Sequence, residues 1–199
     1  MRWRPEFALP VKATEVPSGP DWFHEVKYDG YRIMVIRESD RVRLITKSGV
    51  DCTKHFPWIA DAARSNRRKQ FVIDGEAVLL GVDGVSDFDG LHSDKHNDGV
   101  QLYAFDILAA DGEDLRKLPL SMRKANLERV LARRPEGIFA APFERGAIGP
   151  DLFRAACNMN LEGLVSKHAE RWYGARRCKH WVKVKNPKHP AYSRVQDQL

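Results

Sequence analysis

The sequence has 199 residues, which fits one large domain or two small ones, and 43% of them are hydrophobic, enough for a buried core. No apolar run approaches the roughly 20 residues that a membrane helix needs, and residues 1–6 lack the apolar stretch of a signal peptide. A cytoplasmic protein without membrane contact is therefore expected. The net charge of +6 suits a polyanionic partner, although charge alone does not distinguish DNA from RNA or from a solvated surface.

The cysteines predict neither a disulfide framework nor a zinc site. Cys52, Cys157 and Cys178 are odd in number, far apart and without CxxC spacing. We expect three reduced thiols.

The first quarter of the chain predicts an extended arm and then a hairpin. Residues 1–20 are rich in proline, which is typical of an extended segment over the surface. Residues 31–37 and 41–46 are predicted to pair as two strands, because the second of them alternates apolar with basic side chains. Thr53 is predicted to cap a short helix that ends near Arg64.

Two further strands carry acidic residues. Residues 71–80 and 101–108 are predicted strands, each followed by a glycine-containing turn. Because a carboxylate buried in a sheet is costly unless a cation or a metal meets it, Asp74, Glu76 and Asp106 are candidate functional residues.

The second half of the chain predicts two helices and two strands. Residues 121–134 form the clearest helix, with Ser121 as cap and an apolar face that includes Leu127 and Leu131, so its arginines and lysines are predicted to face solvent or phosphate. A helix is predicted over 151–158, and strands over 164–167 and 181–185. Short strands outnumber helices without strict alternation, so the fold class is α+β with mainly antiparallel sheets.

His92 and His96, with Asp94 and Asp98 near them, have the residue types of a metal site. They lie in a polar segment flanked by glycine, with no predicted helix to align the two imidazoles. Solvated loop histidines are the better interpretation.

Five short motifs occur in a fixed order along the chain. The chain has neither a GxxxxGK[ST] loop nor a GxGxxG turn, so side-chain cations and metal must hold any nucleotide. One KxDGxR match is weak evidence, whereas five ordered motifs are specific. The motifs are KYDGYR at 27–32, DGE at 74–76, YAFD at 103–106, EGLVSK at 162–167 and WVKVK at 181–185.

This set resembles the covalent nucleotidyltransferases, the superfamily of DNA ligases, RNA ligases and messenger RNA capping enzymes. Within it, the sequence is most similar to the adenylation domain of ATP-dependent DNA ligases of the bacterial end-joining type. The resemblance implies an ATP-grasp-like nucleotidyltransferase fold at residues 21–187, after an arm at 1–20 and before a tail or linker at 188–199. It also implies a bacterial protein that acts at the nucleoid.

The same resemblance implies the chemistry of Lys27. Its amine, once neutral, would attack the α-phosphorus of ATP to form lysyl-AMP, with Lys183, Lys185 and Arg32 as the cations that favour the neutral amine. The AMP would then pass to a DNA 5′-phosphate for nick or end sealing in DNA repair. The implied ATP-binding residues are Glu25, Val26, Arg32, Lys47, Glu76, Phe105, Lys183 and Lys185.

Individual roles also follow from the resemblance. Phe105 would stack on adenine, and Glu25 would lie near its exocyclic amine. Arg32 and Glu76 would contact the ribose or the incoming 5′-phosphate. Glu76 and Glu162 would hold Mg²⁺, with Mn²⁺ as the alternative ion.

The sequence departs from the family pattern at three places. Lys47 stands where these ligases usually have arginine, which loses a planar fork for phosphate or ribose oxygens. Residues 173–177 replace the family's Tyr-x-x-Gly-Arg pattern and keep an arginine at the expected distance from Trp181, but not the glycine. Arg176 and Arg177 are expected to contact DNA. The residues after Lys185 are too few for the OB-fold domain that normally follows.

Three hypotheses remain open. The first is an ATP-dependent DNA ligase core, a monomer whose partners are nicked or broken duplex DNA and an OB-fold domain or end-joining repair proteins. The second is an RNA ligase or capping-type nucleotidyltransferase. The third is a degenerate ligase-like module that binds DNA without adenylation.

Overall fold

Two β-sheets form the body of the protein in a computed structural model, which describes residues 3–133 and 136–194. Short helices pack against both sheets. The strands are β1 (Ala8–Lys12), β2 (Trp22–Val26), β3 (Tyr31–Glu38), β4 (Arg41–Thr46), β5 (Gln70–Val78), β6 (Gln101–Ala110), β7 (Glu113–Asp114), β8 (Ile138–Ala140), β9 (Phe143–Arg145), β10 (Gly163–His168) and β11 (Arg176–Lys185). The helices are α1 (Pro57–Ser65), α2 (Phe88–His92), α3 (Leu120–Leu131) and α4 (Gly149–Asn158).

The smaller sheet has the strand order β1-β11-β10-β2-β9. Its pairs are antiparallel except that of β1 with β11, which is parallel and shifts register between Pro10 and Val11. Part of the predicted extended arm is therefore a strand of this sheet.

The larger sheet has the order β4-β3-β5-β6-β7, with β8 pairing in parallel with β6. The predicted hairpin is present as β3 and β4, and the strands predicted at 71–80 and 101–108 are present as β5 and β6. The predicted α+β fold class with mainly antiparallel sheets is confirmed.

Strand β3 shows how the core divides into two layers. Alternate side chains of a strand point to opposite faces. Ile33 and Val35 pack with the cluster under α1 and α3, whereas Met34 and Ile36 pack with Trp181 of the smaller sheet. The larger sheet is thus buried on both faces, which explains the continuous apolar run of β3.

The helices differ from the predictions at their ends. Helix α1 begins at Pro57, and Thr53 instead accepts a hydrogen bond from the backbone of Leu44. Helix α3 begins one residue before Ser121, whose hydroxyl donates to Glu170 and does not cap the helix. Arg134, the last residue predicted for this helix, lies outside the described residues.

The prediction that the basic residues of α3 face solvent was wrong for two of them. Arg123 and Lys124 are buried, and each meets a carboxylate from a distant strand. Arg123 binds Asp106, which explains the acidic residue inside β6. In the described parts of the chain, no helix has the length and apolar character needed to cross a membrane.

Candidate active site

A cavity of about 280 Å³ lies between the two sheets, and strands of both contribute to its walls. Ten residues that the sequence assigned to a nucleotide and metal site line this cavity together. Arg176 and Arg177 do not line it and are exposed at the start of β11. The ten lining residues are Glu25, Val26, Lys27, Arg32, Lys47, Glu76, Phe105, Glu162, Lys183 and Lys185.

Lys27 follows the last residue of β2, and two contacts fix it. Its backbone amide donates to the carbonyl of Gly163, and its amine donates to Glu162 Oε2 at 2.6 Å. Gly163 has φ of +141°, and a Cβ there would overlap the carbonyl of Val184. Only glycine fits this close approach of strands, so it sets the distance between Glu162 and the lysine.

The carboxylate of Glu162 lies between two lysine amines. Its second oxygen lies 3.1 Å from the amine of Lys185. Burial and the neighbouring amines of Lys27 and Lys185 lower the pKa of Lys183. This end of the cavity has more cationic than anionic side chains, which favours an anionic ligand.

Arg32 is held tightly at the wall of the cavity. Its Nε and Nη2 donate to the two oxygens of Asp74, and Nη1 donates to the carbonyl of Ala8. The hydroxyl of Tyr173 also donates to Asp74. Burial opposes the charged guanidinium, but Asp74 outweighs it and raises the pKa of Arg32. Asp74, a candidate functional residue from the sequence, thus positions Arg32.

Glu76 lies opposite Arg32 on the neighbouring strand. Burial raises the pKa of Glu76 to about 7, against the opposing effect of the Lys27 and Arg32 cations. The carboxylate of Glu162 contributes to the rise. Two carboxylates that repel each other in one cavity fit a divalent cation that also binds phosphate oxygens, the usual mode for Mg²⁺. Within the described residues, no three or more His, Cys, Asp or Glu side chains form a metal cluster by themselves.

The other end of the cavity is aromatic. The ring of Phe105 packs at 6.1 Å from Trp181, and the Lys167 amine lies 4.0 Å from the centre of the Phe105 ring. Lys167 also donates to Glu25 at 2.6 Å. Lys167 was not among the predicted site residues, although its position at the end of the EGLVSK motif was a signal for it.

Residues 190–194 cross from Lys185 to Asp29, and Ala191 and Arg194 line the cavity. Lys185 donates to the carbonyl of Ala191 at 2.7 Å, and Arg194 donates to Asp29 at 2.8 Å. We call residues 190–194 the crossing segment. No local sequence signal predicts the contact of Arg194 with Asp29, because these two residues lie far apart in the chain.

The histidines flagged in the sequence do not form a metal site. His92 ends α2 and hydrogen-bonds through Nδ1 with the hydroxyl of Tyr31 at 2.7 Å, so it is not a loop histidine. His96 is exposed. Lys47 is exposed at the rim, where it lines the cavity.

Comparison with known proteins identifies the family. The profile described as ATP dependent DNA ligase domain matches residues 8–185. The chain belongs to this family of ATP-dependent DNA ligase domains. The ligase domain is 33% identical over 186 residues to the multifunctional non-homologous end joining protein LigD of Pseudomonas aeruginosa, an alignment that covers 91% of this chain and 22% of the relative.

Other relatives agree with this assignment. The ligase domain is 33% identical over 176 residues to a probable DNA ligase of Streptomyces coelicolor, covering 81% of this chain and 34% of the relative. It therefore spans about a fifth to a third of the length of these two relatives.

Solved structures show the same fold. Mycobacterial DNA ligase D complexed with ATP and MES superposes with a TM-score of 0.79 at 29% identity, covering 90% of this chain and 60% of that one. The ligase domain of Mycobacterium tuberculosis LigD superposes with a TM-score of 0.76 at 28% identity, with the same coverage. The resemblance to end-joining ligases drawn from the five motifs is confirmed.

Proposed function

We propose that the ligase domain transfers AMP from ATP to Lys27 and then to a DNA 5′-phosphate, for sealing of nicks or broken ends. The observation that carries the proposal is the position of the Lys27 amine, in one cavity with Glu162, Lys183 and Lys185. Family membership supports the use of ATP.

The first step exchanges one bond at phosphorus for another. The neutral amine of Lys27 attacks the α-phosphorus, the N–P bond forms, and the bond to the bridging oxygen of pyrophosphate breaks. The proton on the attacking nitrogen passes to solvent as the N–P bond forms. The cations Lys183 and Lys185 stabilise the negative charge that develops on the phosphate oxygens. Glu162 orients the Lys27 amine.

Magnesium is the proposed ion, with manganese as the alternative. Glu76 and Glu162 would hold it together with phosphate oxygens, and it would neutralise charge on the triphosphate. Arg32, held by Asp74, is assigned to the ribose or the incoming 5′-phosphate.

The base is assigned to the aromatic end of the cavity. Phe105 supplies a ring for stacking, and Glu25 supplies an acceptor for the exocyclic amine of adenine. Val26 contributes to the same wall.

Delivery of AMP to DNA is proposed from charge and family. Arg176 and Arg177 are exposed cations outside the cavity, suited to phosphate contacts, and Lys47 stands at the rim. The relative from Pseudomonas aeruginosa is named as an end-joining protein. We propose broken or nicked duplex DNA as the substrate, with an OB-fold domain or end-joining repair proteins as partners.

Mass spectrometry tests the first step. After incubation with ATP and Mg²⁺, the protein is expected to gain the mass of one AMP on the peptide that contains Lys27. Lys27→Arg should gain nothing, whereas Lys54→Ala, which changes a lysine outside the cavity, should behave as the unchanged protein. AMP on the Lys27→Arg protein would overturn the proposal.

Nucleic acid substrates separate the alternatives. Transfer of AMP from the protein to nicked DNA supports the ligase proposal. Preference for GTP, or transfer to RNA ends alone, would favour an RNA ligase or capping-type enzyme. DNA binding without any adenylation would favour a degenerate binding module.

A further inference from the structure

Three charged side chains form a buried cluster at the aromatic end of the cavity. Glu25, Lys124 and Lys167 are 4%, 3% and 1% exposed. The Lys124 amine lies 2.5 Å from Glu25 Oε1, and the Lys167 amine lies 2.6 Å from Glu25 Oε2. Because each carboxylate oxygen faces its own ammonium group, the carboxylate has one preferred orientation.

The two lysines of the cluster have different positions. Lys167 lines the cavity and its amine lies over the Phe105 ring. Lys124 comes from α3, outside the five motifs, and does not line the cavity. It therefore lies behind Glu25 as seen from the cavity.

The amine of Lys124 forms its ion pair with Glu25. Among the described residues it makes no hydrogen bond of good geometry, and its other close contact is the ring of Phe143, with 4.7 Å to the centre. Burial of an ammonium group is costly without an opposite charge. Orienting Glu25 is thus the electrostatic role that the structure leaves for Lys124.

A carboxylate held between two ammonium groups accepts hydrogen bonds and does not donate them. At the 6-position, adenine presents an amino group that can donate, whereas hypoxanthine presents a carbonyl oxygen that would face the carboxylate unpaired. Leaving such groups unpaired in a buried site weakens binding. A fixed Glu25 therefore discriminates between purines that differ at this one atom.

We propose that Lys124 is a positioning residue that holds Glu25 toward the cavity and thereby makes the domain select a 6-amino purine. The inference rests on the proposed function, in which the base lies beside Phe105 and Glu25. It adds a residue outside the nucleotide motifs to the determinants of base selectivity.

Equilibrium binding tests the inference without requiring catalysis. Calorimetry in the absence of divalent cations, so that no lysyl-AMP forms, would give the Kd of ATP and of ITP for the unchanged protein and for Lys124→Met, Lys124→Gln and Lys124→Arg. Arg129→Met is the matched control, because Arg129 is exposed on the same helix. Circular dichroism would show that each variant is folded.

The unchanged protein is expected to bind ATP at least about tenfold more tightly than ITP. Lys124→Met and Lys124→Gln should weaken ATP binding about tenfold with little effect on ITP, so the selectivity falls. Lys124→Arg should restore selectivity, and Arg129→Met should keep it. In the adenylation assay, KM for ATP should rise in Lys124→Met while the rate at saturation stays within about twofold.

The outcomes separate this inference from the proposed function. Unchanged selectivity in folded Lys124→Met or Lys124→Gln would overturn the role of Lys124, even if Lys27 is adenylated. Equal weakening of ATP and ITP would also overturn it, because a general structural role does not distinguish the bases. Selective ATP binding without lysyl-AMP would overturn the proposed function and leave the role of Lys124 supported.

Discussion

Burial inside the cavity raises the pKa of Glu76 to about 7, so its charge changes near neutral pH. Only the ionised carboxylate binds a divalent cation well. The rate of lysyl-AMP formation is therefore expected to rise between about pH 6 and pH 8. Glu76→Gln should lower the rate more at pH 8 than at pH 6, measured as AMP incorporation with Mg²⁺. If the rate of Glu76→Gln rises with pH as that of the unchanged protein does, Glu76 is not the titrating group.

The same shift predicts a pH-dependent stability. Because the folded state raises the pKa of Glu76, it binds this proton more tightly than the unfolded state does, and ionisation destabilises the fold. This loss of stability is absent below the pKa that Glu76 has in the unfolded chain, and it is complete above about pH 7. Without ATP and metal, the Tm of Glu76→Gln should therefore rise relative to the unchanged protein from about pH 5 to pH 8. A constant difference in Tm would contradict this.

Tyr173 joins the arm to the cavity wall through one hydroxyl. It donates to Asp74 at 2.7 Å and accepts from the backbone amide of Ala8 at 2.9 Å. Tyr173→Phe leaves that amide without its acceptor and should lower the free energy of unfolding by about 1–3 kcal/mol. Urea denaturation measures this change in the free energy of unfolding. Tyr192→Phe is the control, because the ring of Tyr192 is about half exposed. Equal stability of the two variants would refute the role of the hydroxyl.

At the level of elements, local patterns predicted the strands well. Strands β3 and β4 match their predicted ranges closely, because alternation and turn residues are local signals. The cavity residues were also predicted, since ordered motifs identify the family and the family fixes which residues meet. The contact partners inside the fold were not predictable in this way.

Helix α3 shows why such contacts escape a sequence argument. Hydrophobic periodicity predicted its buried Leu127 and Leu131 correctly. It treated Arg123 and Lys124 as solvated, since their carboxylate partners are on strands far away in sequence. Strand β1 was not predicted for the same reason, because its partner β11 is at the opposite end of the chain.

The pair of Arg123 and Asp106 makes α3 dependent on β6. Both side chains are fully buried and share two hydrogen bonds. Arg123→Met leaves a buried carboxylate unpaired and should cost about 3–5 kcal/mol of stability. The double variant with Asp106→Leu should recover a large part of this, as measured by chemical denaturation. If the double variant is as unstable as the sum of both single variants, the charge pair is not the cause.

At the scale of the molecule, the cavity wall contains strands from both sheets. A ligand that binds there contacts both layers and stabilises the folded state by mass action. ATP at about 100 times its Kd should add about 2.7 kcal/mol, which raises the Tm by several degrees. The measurement uses Lys27→Ala, so that no covalent product forms. An unchanged Tm with ATP would argue against nucleotide binding between the sheets.

The crossing segment binds Lys185, one of the two lysines proposed to contact the phosphates of the nucleotide. Lys185 now donates to the carbonyl of Ala191, and a phosphate oxygen is a stronger acceptor than a peptide carbonyl. Nucleotide binding is thus expected to release this carbonyl and loosen the turn in which the amides of Ala191 and Tyr192 donate to His189. Amide hydrogen exchange at these two residues should therefore become faster when ATP binds. Filling of the cavity would then be reported by its own wall, as a loosened stretch of backbone.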